Sequence, residues 1–241
     1  MFKPVGNREL LSIQVADEIE SAIINGKLQI GSKLPSENEL CIQFGVSRTA
    51  IREALRTLSA KGLLSIEKGR GIFVKEITSQ HVTDPLRTYL KTKIGVDYIL
   101  DIIIARQIIE PEIARMAAKN RTEEDIIEIK KTIDEMKNFN GEPSELAKLD
   151  MNFHLSIAKS TQNNLLPLML KPIFKLMPEI KSKIISDVPE ARDSALIWHN
   201  KILKAIIKDD SDESYKLMKR HLEIAKDHAE LMMKVEGIIN S

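Results

Sequence analysis

Three histidines and one aspartate in the second half of the chain are residue types that bind divalent metals. Asp150 and His154 are four positions apart in a segment with helical periodicity, so their side chains share one helix face. His199 and His221 occupy the apolar sides of two later segments with the same periodicity. Three imidazoles and a carboxylate suit Zn²⁺, Ni²⁺ or Mn²⁺. The pattern therefore predicts a metal site inside a helical bundle, with zinc as the first choice among these ions.

The same four side chains leave two other interpretations open. Bound to a metal with one open coordination position, they could activate water, which would make the protein a metal-dependent hydrolase. No H-E-x-x-H arrangement accompanies them, so the sequence offers such an enzyme no obvious additional general base. The histidines could instead be separately satisfied core residues of a metal-free helical sensor. His228 lies seven residues after His221 on a similar face and is the main rival ligand.

A second chemically informative group is basic and lies in the first third of the chain. Between residues 44 and 75 there are seven Lys and Arg residues against two acidic ones, although the whole chain has a net charge of only +1. The rest of the chain is therefore net acidic. A basic head on a mildly acidic body fits a DNA-binding domain joined to a domain with another task.

Arg48 and Arg52 give this prediction its specificity. They begin a predicted helix that Ser47 caps, and the first turn of such a helix can enter the major groove. Arginine can pair bidentately with guanine O6 and N7. Ser47 and Thr49 can donate hydrogen bonds to phosphates, helped by the helix N-terminus. The alternative to DNA binding is that these residues form an ordinary solvated helix face beside an ordinary hairpin.

The elements that must position these residues read as a winged helix-turn-helix. Helices are predicted over residues 10–25, 36–44 and 48–62. Gly45 provides the tight turn between the second and third helices, and strands over 63–66 and 72–74 form a hairpin wing. At the wing tip, Gly69 lets the backbone approach DNA closely, and Lys68 and Arg70 flank it to meet phosphate or the minor groove.

The remainder of the chain is predicted to be helical, with no strand after residue 76. A polar segment over 77–84 lacks periodicity and is interpreted as a linker. Helices are then predicted over residues 98–120, 123–139, 144–160, 191–208 and 212–238. The expected fold class is mainly α: a winged helix-turn-helix domain over 1–76 and an all-α antiparallel helical bundle over 85–241. Three prolines interrupt the segment before the last two helices, at 167, 172 and 178.

Composition excludes several other classes of protein. Aromatic residues make up only 4% of the chain, which argues against the base-stacking platform of a single-strand-binding protein. Cys41 is the single cysteine, so no intrachain disulfide can form, as expected in a reducing cytoplasm. No stretch resembles a signal peptide or a membrane span. We therefore expect a soluble cytoplasmic protein without a membrane partner.

The N-terminal motifs resemble the GntR superfamily of bacterial repressors. The resemblance lies in the runs 31–37, 46–55, 62–64 and 68–71, namely GSKLPSE, VSRTAIREAL, GLL and KGRG. It covers about residues 10 to 75. It implies contacts with double-stranded operator DNA from Ser47, Arg48, Thr49, Arg52 and Gly69, with Lys68 near the minor groove.

The C-terminal motifs resemble the FCD ligand domain of the FadR-like branch of that superfamily. They are Asp150-x-x-x-His154, His199-x-x-Ile-x-x-Ala-Ile, His221-Leu and Arg106-x-x-x-Glu. This resemblance implies a bundle that holds a divalent metal beside a pocket for small organic acids, with Arg106 binding an effector carboxylate. A surface pair between Arg106 and the glutamate four residues later is the alternative. Together the motifs predict a homodimeric, ligand-responsive transcription regulator, a repressor rather than an enzyme.

Overall fold

The structure, a computed structural model, describes residues 10–76, 80–93 and 98–239. The chain divides into two compact units, Met1–His81 and Val82–Ser241. Helix α4 (Gln80–Lys93) includes the second half of the segment over 77–84 that the sequence suggested as an aperiodic linker. Residues 77–79 of that segment lie outside the described residues. The polar sequence concealed this helix: among the side chains of 80–84 that the structure describes, only that of Thr83 is buried.

The first unit has the predicted order of helix, helix, turn, helix and hairpin. Its elements are α1 (Leu11–Ile24), α2 (Glu37–Phe44), α3 (Arg48–Ala60), β1 (Leu64–Glu67) and β2 (Gly71–Val74). The two strands are antiparallel, with Leu64 opposite Val74 and Glu67 opposite Gly71. Each predicted end lies within two residues of the observed one. This unit is therefore a winged helix-turn-helix.

Local signals account for the boundaries of α2 and α3. Ser36 forms a capping box with Glu39, because each side chain hydrogen-bonds to the backbone N–H of the other. Gly45 ends α2 with φ of 65°, a left-handed conformation that glycine adopts without strain. The Ser47 hydroxyl accepts a hydrogen bond from the Ala50 N–H and caps α3. The inward face of α3 is fully apolar and consists of Ile51, Ala54, Leu55 and Leu58.

The second unit is helical throughout its described residues. Its elements are α4, α5 (Tyr98–Asn120), α6 (Glu123–Asn138), α7 (Pro143–Lys159), α8 (Leu165–Phe174), α9 (Met177–Asp187), α10 (Ala191–Ile207) and α11 (Ser211–Val235). The segment with the three prolines forms α8 and α9, and Pro178 lies in the first turn of α9, where a missing N–H is tolerated. Pro172 lies inside α8 and Pro111 inside α5.

One hydrophobic core joins the helices of the second unit. Phe153, Ile157, Leu170, Ile202 and Leu222 are completely buried in it. Helix α5 packs against α11, and α7 packs against α6 and α9. Five of these helices also direct acidic or basic side chains, histidines included, into the interior: α5, α7, α9, α10 and α11. Across the described residues, no helix combines the length and apolar character that a bilayer crossing requires.

Candidate metal centre and nucleic-acid surface

The three predicted histidines converge in the interior of the helical unit. His154 comes from α7, His199 from α10 and His221 from α11, and all three are buried. One ring nitrogen of each lies within 4.8 Å of the corresponding nitrogens of the other two. The His154 and His221 rings are stacked with centroids 5.3 Å apart. Three nitrogens at this spacing can bind one cation.

Asp150 lies one turn before His154; it is outside the group of donors that are all within 4.8 Å of one another, but it lies beside His199. Its Oδ1 is 3.7 Å from His199 Nε2. Neither carboxylate oxygen of Asp150 and neither ring nitrogen of His199 has a hydrogen-bond partner among the described residues. Buried polar atoms without partners cost free energy. A cation held between these side chains would satisfy them, so the residues fit a divalent metal.

The protonation of these donors also suits a metal. Burial lowers the pKa of His199 and of His221 well below the usual histidine value, because an imidazolium is poorly solvated there, and the charge of His154 adds to the effect. Burial alone would raise the pKa of Asp150, but the positive charges of Lys181 and His154 lower it below its usual value. Metal ligands must be neutral imidazoles and ionised carboxylates, and the pKa shifts of His199, His221 and Asp150 favour those forms.

Arg106 and Glu110 form a buried ion pair beside His154. Their side chains are each 2% exposed, and Arg106 Nε donates to Glu110 Oε1 over 2.6 Å. The alternative of a surface pair is therefore wrong. Glu110 Oε2 lies 2.5 Å from His154 Nδ1, and Arg106 Nη2 lies 3.2 Å from His154 Nε2. Although burial favours the neutral acid, the charges of Arg106 and His154 hold the pKa of Glu110 at about 2.

Lys181 is a residue beside this cluster that sequence reasoning missed. It lies on α9 with 5% of its surface exposed, and its Nζ is 3.4 Å from Asp150 Oδ2. Met177, one turn earlier, places its sulfur 3.9 Å from Arg106 Nη1. The available signal was a lysine in an apolar stripe, since Met177, Lys181 and Ile184 have helical spacing.

Of the other two histidines, only His228 can be compared with this cluster, and it takes no part in it. His228, the rival ligand, is half-buried on α11 and lies outside the group of three histidines. The side chain of His81 lies outside the described residues.

The predicted DNA-reading residues lie on the surface at the start of α3. Ser47, Arg48, Thr49 and Arg52 are all exposed, and the two arginine side chains are 61% and 55% accessible. Each arginine donates from Nε to Glu37 Oε2, over 3.1 and 3.0 Å respectively. Partial burial opposes ionisation of Glu37, but these hydrogen bonds lower its pKa. Surface pairs of this kind contribute little free energy, so DNA can compete for both guanidinium groups.

The wing places further basic residues beside this helix. Lys68, Gly69 and Arg70 are exposed at its tip, and Gly69 has φ of 77°. Lys33, which sequence reasoning missed, lines the same groove as Arg48 and Arg52 and has its ammonium 5.9 Å from the centre of the Phe73 ring. The groove between the wing and α3 is thus lined by five cationic side chains: Lys33, Arg48, Arg52, Lys68 and Arg70.

Comparisons with known proteins agree with this division of the chain. Residues 11–74 match the family described as bacterial regulatory proteins, gntR family, and residues 101–224 match the FCD domain. The Uxu operon regulator of Haemophilus influenzae is 30% identical over 226 residues, covering 88% of this chain and 79% of that protein. The HTH-type transcriptional regulator LutR of Bacillus subtilis is 34% identical over 157 residues, or 65% and 71% of the two chains. A solved GntR structure from Streptococcus agalactiae has the same fold, with a TM-score of 0.66 at 22% identity over 90% of this chain and 99% of that one.

Proposed function

This chain belongs to the GntR family of bacterial regulatory proteins, with a C-terminal FCD domain, and on that basis we propose that it senses a small organic acid at a metal-containing pocket. Family membership makes it a DNA-binding transcription regulator and not an enzyme. The proposal adds that it acts in the cytoplasm as a homodimeric repressor on a two-fold operator, because each winged unit can read one half-site.

The convergence of the three histidines with Asp150 carries the metal part of this proposal. Asp150, His154, His199 and His221 would hold the ion, with zinc as the first choice and nickel or manganese as alternatives. A bound divalent ion would supply a buried positive charge to which an effector carboxylate can bind. Arg106 would orient that carboxylate: its planar guanidinium keeps Nε on Glu110, and its terminal nitrogens, now beside His154 Nε2 and the Met177 sulfur, would donate to the ligand when a metal takes His154 Nε2.

A metal-free sensor is the second candidate, and one contact favours it. Arg106 Nη2 lies 3.2 Å from His154 Nε2, the nitrogen that would otherwise face a metal. In this alternative the cluster would be a buried polar core to which Arg106 and Lys181 contribute positive charge. The two candidates differ in one measurable property, the amount of metal bound per chain.

Elemental analysis of protein purified without chelator tests the metal site. We expect about one divalent ion per chain, lost in His221→Ala and retained in His228→Ala, because His228 lies on the same helix but outside the cluster. Substoichiometric metal in the unchanged protein, together with a thermal midpoint that chelation does not alter, would support the metal-free sensor instead.

Arg52→Ala tests the assigned DNA contact in a mobility-shift assay with a selected operator. Losing a bidentate base contact costs about 1–3 kcal/mol of discrimination, so specific binding should weaken about 5- to 150-fold. Arg220→Ala is a matched control, because that side chain is 56% exposed and also forms a surface pair, with Glu223. Equal operator affinity for both variants would contradict the assignment.

A further inference from the structure

The charged groups buried around the histidine cluster balance one another. Arg106 and Lys181 are cations, Glu110 and Asp150 are anions, and all four are at most 5% exposed. With neutral imidazoles, as metal ligands must be, these side chains have no net charge. A divalent ion would therefore leave two uncompensated positive charges inside the unit. Burying unpaired charge is costly, so a ligand that enters this pocket should bring two negative charges.

The two cations also involve different turns of α9, one through a contact and the other as a member of the helix. Met177 contacts Arg106 through its sulfur, whereas Lys181 is the residue one turn further on and faces Asp150. Four residues of helix advance about 6 Å. The α9 residues behind these two contacts, Met177 and Lys181, are thus one turn apart, and the later one faces Asp150.

Among the lysines whose side chains the structure describes, Lys181 alone is buried. Its single ion-pair partner there is Asp150, which is also a candidate metal ligand. An Asp150 carboxylate shared with a divalent ion would compensate the ammonium incompletely. The Lys181 ammonium therefore needs a second anion when a divalent ion is bound.

We infer that the effector is a small dicarboxylate, with one carboxylate held by Arg106 and the other by Lys181. This inference rests on the proposed function, because it assigns the chemical class of the effector at the same pocket. Lys181 is the specificity-determining residue: without its ammonium, one positive charge and one binding point for the second carboxylate are lost. A neutral residue at this position would favour a monocarboxylate.

Calorimetric titration of the full-length, Zn²⁺-loaded protein tests the inference. The probes are malonate, succinate and glutarate, each compared with its monoamide, which has nearly the same shape and one charge less. We expect at least one diacid to bind about tenfold or more tightly than its monoamide, since a hydrogen bond to a charged group is worth that much. In Lys181→Met this preference should fall to about threefold or less.

Two further variants control the measurement. Lys183→Met removes an exposed lysine from the same helix and should keep the full preference for the diacid. Lys181→Arg retains the charge and should keep most of that preference. Circular dichroism and bound metal confirm that each variant is folded and loaded.

Three results would overturn the inference. The first is equal affinity of diacid and monoamide for the unchanged protein. The second is an undiminished preference in folded, metal-loaded Lys181→Met. The third is binding of monocarboxylates such as lactate or butyrate but of none of the diacids, which would leave the proposed function intact. If no carboxylate of either kind binds, the proposed function fails as well.

Discussion

Glu110 determines which nitrogen of His154 is free to bind a metal. Its Oε2 lies 2.5 Å from His154 Nδ1, so the ionised carboxylate accepts the Nδ1–H. This hydrogen bond fixes the tautomer and the ring orientation and directs Nε2 toward the other two histidines. Glu110 therefore acts as a positioning residue through His154.

Glu110→Gln should weaken metal binding without removing a ligand. The amide is uncharged, so it supports the His154 ring less strongly, and losses of about 10- to 100-fold in metal affinity are typical for such partners. Competition with a chromophoric zinc chelator measures the change. Glu112→Gln is the matched control, because that glutamate lies on the surface of the same helix. Equal zinc affinity for the two variants would show that Glu110 has no positioning role.

The sequence revealed the donors of this site but not their surroundings. Asp150, His154, His199 and His221 were found because each lies on the apolar face of a strongly periodic helix. Lys181 was missed because three prolines obscured where α9 begins, so the inward face of that helix was unknown. The burial of the Arg106 and Glu110 pair also required the packed bundle, since an i, i+4 pair has the same spacing on a surface or in a core.

At the scale of elements, one side chain, that of Ser47, both caps the N-terminus of α3 and lies on the surface that is predicted to contact DNA. Ser47 caps the helix by accepting from the Ala50 N–H, and it is also exposed beside Arg48. The Ser47 hydroxyl is therefore expected to contribute both to the stability of α3 and to DNA binding. Substitutions that keep one property and remove the other can separate them.

Ser47→Asp should leave the winged unit stable but abolish DNA binding. Aspartate caps helices as well as serine does, and its negative charge is favourable at a helix N-terminus but repels phosphates. Ser47→Ala should instead cost about 1 kcal/mol of unfolding free energy, because the cap is lost. Denaturant unfolding and mobility shifts, run on both variants, make the comparison. An aspartate variant that still binds the operator as tightly as the unchanged protein would place Ser47 away from the phosphates.

Element boundaries were predictable where local signals are strong. The capping box at Ser36, the glycine turn at Gly45 and the cap at Ser47 specify α2 and α3 without help from distant residues. Helix α4 was harder to predict because it contains Pro85, a residue that helix interiors disfavour. The break between α8 and α9 likewise depends on packing, since Pro172 lies inside α8 and does not end it.

At the scale of the whole molecule, the two compact units have separate cores. One core consists of residues between Val15 and Val74, and the main core of the other begins at Ile99. Every candidate metal ligand belongs to the second unit, Val82–Ser241. A metal that binds only the folded state stabilises it by about 2.7 kcal/mol when free metal is a hundredfold above its Kd. A bound metal should therefore stabilise the main core of the second unit directly.

Hydrogen exchange of the full-length protein, with Zn²⁺ and with chelator, should locate that stabilisation. We expect the metal to slow exchange in α5, α7, α10 and α11, because these helices carry His154, His199, His221 and the Arg106–Glu110 pair. Peptides from residues 10–76 should be unaffected in the absence of DNA and effector. His221→Ala should abolish the difference, whereas His228→Ala should preserve it. Protection spread equally over residues 10–76 would show that the metal acts on the winged unit as well, and no protection anywhere would remove the metal from the mechanism.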